Sequence, residues 1–176
     1  MDELRIRLVG PLAVGRGGRV WRGSEIGSRK ARTLLGLLAT ARRRMVTVDR
    51  IAEALWPGRP PRHPADNVAT LVSRIRGTLG AEVVTGGRTG YRIGDPVVTD
   101  VLEAEAQLAG GAAEDAAATL AAAPLLSDVP DAAWLAAART DQAETLRRAR
   151  HAVAVAALRD DRPEVARAAA EAAQGR

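Results

Sequence analysis

The chain has 176 residues, of which 47% are hydrophobic and 27% are charged. This length and composition are typical of a globular protein with one core or two small ones, and they exclude a disordered tail. The absence of cysteine excludes disulfide frameworks and thiolate metal sites. No apolar run is long enough to span a membrane, and Met1–Arg5 lack the pattern of a signal peptide. We therefore expect no membrane partner and a cytoplasmic location.

Charge is divided unevenly along the chain. Residues 1–96 hold 18 Lys and Arg against 8 Asp and Glu, a net charge of +10, whereas residues 97–176 hold 8 against 13, a net charge of −5. A basic half predicts a polyanionic partner, and an acidic half predicts a different one. Arginine accounts for all but one of the 26 basic residues, which fits GC-rich codon usage as well as bidentate contacts to phosphate and guanine.

Three short strands are predicted at the N-terminus. Residues 4–9 alternate apolar and basic side chains, Gly10-Pro11 interrupts the pattern, and extended runs follow at residues 12–14 and 19–21. These strands are short and close in sequence, so they predict a small antiparallel sheet.

Helical periodicity begins at Ser28, a predicted N-cap, and continues along an apolar face to Ala41, where Arg42-Arg43-Arg44 ends the helix. A short extended link follows at Met45-Val46. Thr47 is then predicted to cap a second helix, which stops at Trp56-Pro57-Gly58.

The most informative segment is a third predicted helix over residues 65–79, with Gly80 as its left-handed cap. Its apolar stripe consists of Val68, Val72, Ile75 and Leu79, and its opposite face consists of Asn67, Thr70, Ser73, Arg74 and Gly77. A Gly-rich hairpin over residues 83–93 follows, with Arg88 at its tip and Tyr91 in its core. A half-buried helix with polar donors and arginines on its free face, followed by a hairpin, is typical of a helix that enters the DNA major groove beside a wing.

Alanine dominates the rest of the chain, at 28 of the 80 positions from residue 97 onward. We predict helices at about 100–109, 112–122, 131–159 and 163–173, stacked as helical hairpins in a TPR-like arrangement. On the long helix, the predicted packing face holds Leu135, Ala138, Leu146, Ala149 and Val153. The predicted organisation is an α+β winged-helix domain at residues 1–96 and an all-α helical-repeat domain at residues 97–176.

The order of elements resembles that of OmpR/PhoB-type winged helices, and several motifs resemble the antibiotic-regulatory-protein (SARP) family of actinobacterial activators. The matching motifs in the first half are Leu8-Val9-Gly10-Pro11-Leu12, Lys30-Ala31-Arg32, residues 48–56, residues 72–76 and Gly90-Tyr91-Arg92-Ile93. Residues 127–134 resemble part of the bacterial transcriptional activation domain of that family. Two features depart from it. Gly77 stands where the family usually has lysine, and the chain stops at Arg176, so we expect a partial or shortened activation domain.

This resemblance implies a double-stranded DNA-binding activator of secondary-metabolite genes, including those of antibiotic biosynthesis. Members of the family bind direct repeats in promoters as head-to-tail protomers and help recruit RNA polymerase. The implied partners are therefore DNA, RNA polymerase and a second copy of the chain, and the implied location is the cytoplasm, at the nucleoid. A repressor with the same DNA contacts and a protein-binding adaptor module stay open as alternatives. The net charge of residues 1–96 argues against the adaptor.

The third helix is expected to make the specific contacts with DNA. Arg74 is predicted to read guanine through two hydrogen bonds, whereas Thr70 and Ser73 are predicted to meet bases or phosphates. Arg76 lies just off that face and is predicted to meet phosphate. Asn67 completes the predicted DNA-contacting set on this helix.

Contacts with the DNA backbone are expected from the surrounding elements. Thr47 and Arg50 lie at the N-terminus of the second predicted helix, where backbone N–H groups favour phosphate. Trp56 either donates its indole N–H to phosphate or packs in the core, and Arg88 either enters the minor groove or keeps the turn soluble. A general basic footprint is predicted from Arg29, Lys30, Arg32 and Arg42 to Arg44, and Arg42→Ala is expected to weaken binding to all duplexes about equally.

Catalysis finds little support in the sequence. His63 and His151 show no metal-ligand spacing, and neither Gly-rich turn has the strand, loop and Lys-Ser/Thr frame of a phosphate-binding loop. We therefore expect no enzymatic activity, no metal and no cofactor.

Overall fold

A computed structural model describes residues 3–174, so Met1, Asp2, Gly175 and Arg176 lie outside the described residues. The predictions for the first residues and for the end of the chain fall partly on these positions. The elements in chain order are β1 (Leu4–Arg7), β2 (Ala13–Arg16), β3 (Arg19–Arg22), α1 (Arg29–Thr40), β4 (Val46–Thr47), α2 (Val48–Leu55), α3 (Pro64–Leu79), β5 (Val84–Gly87), β6 (Gly90–Ile93), β7 (Val97–Thr99), α4 (Asp100–Ala109), α5 (Ala113–Ala121), α6 (Ala133–Arg159) and α7 (Pro163–Ala173).

The N-terminal sheet has four strands in the order β3-β2-β1-β7. Its first three strands are antiparallel, as the sequence predicts, with Ile6 opposite Val14. The fourth strand, β7, is parallel to β1 and places Val97 beside Leu4, so the sheet is mixed rather than wholly antiparallel. The sequence does not predict β7, because three residues carry too little periodicity to indicate a strand. The chain thus returns to the first sheet after residue 96, and the division into domains at that point stays a prediction.

The three helices α1, α2 and α3 pack against one another, and α1 and α3 also contact the strands β6 and β5. Ser28 caps α1 by accepting a hydrogen bond from the Ala31 N–H at 3.2 Å, and Pro64 occupies the first turn of α3, where its missing N–H costs nothing. The predicted apolar stripe of α3 is confirmed, because all four of its members are buried together with Leu71. Although Gly77 lies within the last turns, the helix continues to Leu79.

Gly80 ends α3 in a conformation other than the one that the sequence predicts. Its φ of 116° and ψ of 149° lie outside the left-handed helical region, in a region that glycine alone populates readily. The chain therefore turns sharply toward the hairpin instead of closing the helix with a left-handed cap.

The second sheet has the strand order β4-β6-β5 and forms the wing. Strands β5 and β6 make the predicted hairpin with Arg88 and Thr89 at its tip, and Val84 lies opposite Ile93. Strand β4 adds Val46 beside Tyr91 and Thr47 beside Gly90. Because β4 runs directly into α2, this pairing fixes the start of α2 to the wing.

The helical region has the four predicted helices, and their bounds agree with the prediction to within two residues. On the long helix α6, Leu135 and Ala149 are buried, and Ala138 and Leu146 pack against the core. Gln142 is also buried on this face, and its Nε2 donates to the Leu120 carbonyl at 2.8 Å. None of the helices in residues 3–174 combines the length and apolarity needed to cross a membrane.

The sheet and the helical region share one hydrophobic core. The backbone N–H of Leu126 donates to the Leu8 carbonyl at 2.7 Å, and the Gly10 N–H donates to the Pro124 carbonyl at 2.9 Å. The Asp128 carboxylate accepts from the Leu12 N–H at 2.8 Å. Leu125 and Leu126 are buried in the same cluster as the residues of β1. The segment before α6 therefore extends the packing of the N-terminal sheet.

The wing requires glycine at one position and tolerates alanine at the next. Gly86 has a φ of 118°, and a Cβ there would lie 2.3 Å from the Gly90 carbonyl oxygen, whereas a Cβ on Gly87 would meet nothing within 4 Å. We expect Gly86→Ala to lower the free energy of unfolding by at least about 2 kcal/mol, because it combines backbone strain with a steric clash. Gly87→Ala, the matched control, should change it by less than about 1 kcal/mol. Chemical denaturation measures both, and equal effects would contradict this account of the wing.

Candidate nucleic-acid interface

The free face of α3 is exposed along its length. Asn67, Thr70, Ser73 and Arg74 are all exposed, while the apolar residues of the same helix are buried. No other segment of residues 3–174 covers this face. The structure thus leaves the helix open to solvent on the side that carries its polar residues.

Two of these side chains already donate a hydrogen bond within the helix, and Asn67 keeps a second N–H donor. The Asn67 amide Nδ2 donates to the His63 carbonyl at 2.8 Å, and the Thr70 hydroxyl donates to the Asp66 carbonyl at 2.9 Å. Their side-chain oxygens can still accept hydrogen bonds. In the described part of the chain, no side-chain hydrogen bond or ion pair engages Arg74, so its five N–H donors are available to a ligand.

Arg76 has a different place from the one the sequence suggests. Its side chain is half-buried, its Nε donates to the Val84 carbonyl at 2.9 Å, and its Nη2 donates to the Gly86 carbonyl at 3.4 Å. These bonds tie α3 to strand β5 of the wing. Phosphate contact by Arg76 stays a prediction, but the geometry gives this residue a role in positioning the hairpin.

An ion pair lies at the base of the wing, where the chain leaves strand β6. The Arg92 guanidinium lies 2.6 Å from the Asp95 carboxylate, at an exposed position. Hydrogen bonding to Arg92 holds the pKa of the Asp95 carboxyl below its ordinary value. At the other end of the hairpin, Arg88 is exposed at the tip, where a ligand can reach it.

The N-terminus of α2 lies beside the wing because β4 precedes it directly. Thr47 caps the helix by accepting a hydrogen bond from the Arg50 N–H at 3.4 Å, as predicted. The side chain of Arg50 is exposed. At the other end of α2, Trp56 is half-buried, and the ammonium of Lys30 lies 4.4 Å from the centroid of its ring. Trp56 thus packs partly against the core, and donation of its indole N–H to phosphate stays a prediction.

Arg42, which the sequence assigns to the general basic footprint, forms ion pairs within the chain, and its contribution to DNA binding stays a prediction. Its guanidinium lies 2.7 Å from the Glu105 carboxylate of α4 and 3.3 Å from the Asp141 carboxylate of α6. Its neighbours in the basic run also contact the protein, because Arg43 donates to the Val97 carbonyl at 3.0 Å and Arg44 donates to the Ala41 carbonyl at 3.2 Å. Nothing local in the sequence indicates the partners of Arg42 and Arg43, which come from distant parts of the chain.

Within residues 3–174, no group of three or more His, Asp or Glu side chains is arranged to hold a metal ion. The two histidines are exposed and lie in different halves of the chain. The exposed face of α3, the N-terminus of α2 and the tip of the wing are therefore the features that make up the candidate interface.

The chain is similar in sequence to a curated regulatory protein and in structure to a solved one. No profile of a protein family matches the chain. The chain is 34% identical over 95 residues to the regulatory protein AfsR of Streptomyces griseus, a match that covers 52% of this chain and 9% of AfsR. It is also similar to the solved structure of Mycobacterium tuberculosis EmbR in complex with a low affinity phosphopeptide, with a TM-score of 0.67 and 26% sequence identity.

The match to EmbR covers 92% of this chain and 47% of the EmbR chain, so this chain spans less than half the length of either protein. The likeness to EmbR extends over both the winged helix and the α-helical region that follows it.

Proposed function

We propose that the chain is a sequence-specific double-stranded DNA-binding transcription regulator in which the exposed face of α3 enters the major groove. The observation that carries this proposal is the free polar face of a helix whose other side is buried. With 16 residues, α3 is ~24 Å long, and the groove, about 12 Å wide, admits a helix of this diameter. The similarity of the chain to AfsR and EmbR supports the same interpretation.

In this proposal Arg74 reads the edge of a guanine, because its guanidinium is exposed and free of internal partners. Thr70 acts as an acceptor, since its one hydroxyl donor is bonded within the helix, whereas Asn67 can accept through Oδ1 and donate through its second N–H. Amino groups of adenine or cytosine are the major-groove donors that suit them. Ser73 lies on the same face and meets a base or a phosphate.

Contacts with the DNA backbone set the register of α3. Thr47, Arg50 and the free N–H groups at the start of α2 bind a phosphate, and Trp56 contributes its indole N–H at the surface. Arg88 enters the adjacent minor groove from the tip of the wing. Arg76 holds the wing against α3 so that both can engage the duplex together.

We further propose that the chain activates secondary-metabolite genes. It would bind direct repeats as head-to-tail protomers and contact RNA polymerase, with its place of action at the nucleoid in the cytoplasm. The SARP-type likeness supports this, and so does the acidic helical region, which is unsuited to DNA but available to protein partners. The shared core means that tests need the whole chain, because removing residues 97–174 would take β7 and Leu126 from the packing.

Substitution of Arg74 tests base readout. On a duplex selected from a random pool, Arg74→Ala should cost about 1–3 kcal/mol and relax the preference at one base position. Arg50→Ala, the comparison variant, should weaken binding to selected and scrambled duplexes alike and lower the salt slope by about 1. Mobility shifts at two salt concentrations measure both effects. Equal losses on the two duplexes for Arg74→Ala would remove this residue from base readout.

The spacing of repeats tests head-to-tail binding and the direction of regulation. Inserting about 5 bp between two selected repeats should abolish cooperative binding. Inserting about 10 bp, one helical turn, should return both repeats to the same face of the duplex and restore cooperative binding. On a reporter promoter with the native spacing, the intact chain should raise transcription, and Arg74→Ala should not. A fall in reporter transcription when the intact chain is present would show a repressor. Cooperative binding that does not depend on the spacing would contradict the head-to-tail arrangement.

A further inference from the structure

The turn between α1 and β4, residues 41–45, belongs to the winged helix and contacts the helical region. Arg42 in this turn is the only side chain there that pairs with carboxylates among the described residues, and it pairs with two, Glu105 and Asp141. We call these three residues the latch. Its members come from the basic turn, from α4 and from α6. The side chains of Arg42 and Glu105 are half-buried, and that of Asp141 is 57% exposed.

The backbone of the turn is held in an unfavourable conformation at the latch. Arg42 has a φ of 51° and Arg43 has a φ of 64°, so two successive residues with a Cβ lie in the left-handed region. Arg43 is fixed as well, because its guanidinium donates to the Val97 carbonyl of β7. Such a conformation persists only where the surroundings hold it. Two hydrogen bonds close the turn locally, from the Arg44 N–H and Nε to the Ala41 carbonyl at 3.0 and 3.2 Å, and the latch and the bond to Val97 hold it against the rest of the protein.

The turn leads directly into the candidate DNA-binding elements. Four residues after Arg42, Val46 pairs with Tyr91 of the wing, and Thr47 pairs with Gly90 and caps α2. A change in the turn therefore reaches both the wing and the N-terminus of α2 through a short run of backbone. No flexible linker lies between the latch and these elements.

We propose that Arg42 is a positioning residue through which the helical region controls DNA affinity. Glu105 and Asp141 hold residues 42 and 43 in the left-handed conformation. This conformation sets the position of Thr47, α2 and the wing. This inference rests on the proposed function, since it concerns the regulation of the same DNA-binding surface. A partner that separates α4 or α6 from the turn would weaken DNA binding without touching the DNA-binding face.

If the latch positions the turn, removing its two carboxylates should change the DNA affinity in the direction opposite to the one that charge alone predicts. If the two carboxylates only added negative charge, their removal would free Arg42 and strengthen binding to a polyanion. If they hold the turn, their removal weakens binding even though the protein becomes more positive. The sign of the change therefore separates positioning from charge.

The test uses the intact chain with Glu105→Ala and Asp141→Ala together. The matched control is Glu103→Ala with Glu144→Ala, which changes the same two helices and the same charge but breaks ion pairs with Arg5 and Arg147 instead. We expect the latch variant to lose about twofold to tenfold in affinity for the selected duplex, as two partly exposed ion pairs would give. Its salt slope should stay unchanged, and the control should bind as well as the wild type or better.

Hydrogen exchange of the free protein gives a readout independent of DNA. Amides of residues 42–47 and 84–93 should exchange about twofold to tenfold faster in the latch variant than in the control. If the double variant loses helix content, the DNA affinity and the hydrogen exchange are measured instead for the milder variant Asp141→Asn, with Glu144→Gln as its control. Unchanged exchange, or a gain in affinity equal to that of the control, would overturn the inference. A wild-type chain that fails to distinguish selected from scrambled duplexes would overturn the proposed function, while exchange would still decide whether the latch holds the turn.

Discussion

Burial of the apolar stripe of α3 fixes which of its side chains face the solvent. Five apolar residues are buried on this helix, and burying each such side chain contributes roughly 1.5–3 kcal/mol. Rotating the helix by one residue would expose several of them at once. The orientation of Ser73 and Arg74 is therefore set by packing against α1 and α2, before any ligand binds. A surface prepared in this way loses little conformational freedom on binding.

The same core extends beyond the winged helix, and this changes the meaning of two sequence motifs. Leu8 to Leu12 and the segment that begins at Ser127 resemble motifs of the SARP family, and the structure places them in contact. Leu12 donates its N–H to Asp128, and the Leu126 N–H donates to Leu8. Gly36 of α1 adds to this junction, because a Cβ there would lie 2.9 Å from Leu126. These motifs are explained by packing between the halves and need no separate ligand.

Most of the elements could be predicted because their periodicity is local. The stripe of α3, the cap at Thr47 and the burial of Tyr91 follow from spacing and side-chain chemistry within a few residues. The features that were missed depend on partners far away in sequence. Strand β7 is recognised only from its pairing with β1, and Arg42 pairs with Asp141 across 99 positions. Periodicity reports which face of an element is apolar, but it does not report what meets that face.

The central claim, that the exposed face of α3 enters the major groove, can be tested by cross-linking, since the chain has no cysteine of its own. A single Ser73→Cys substitution would be combined with a selected duplex that carries a thiol tethered to a base in the major groove. Glu164→Cys, at an exposed position on α7, serves as the control. The account predicts disulfide formation at position 73 for one or two neighbouring bases and none at position 164. Equal cross-linking at both positions, or none at position 73 with a duplex that is bound, would contradict it.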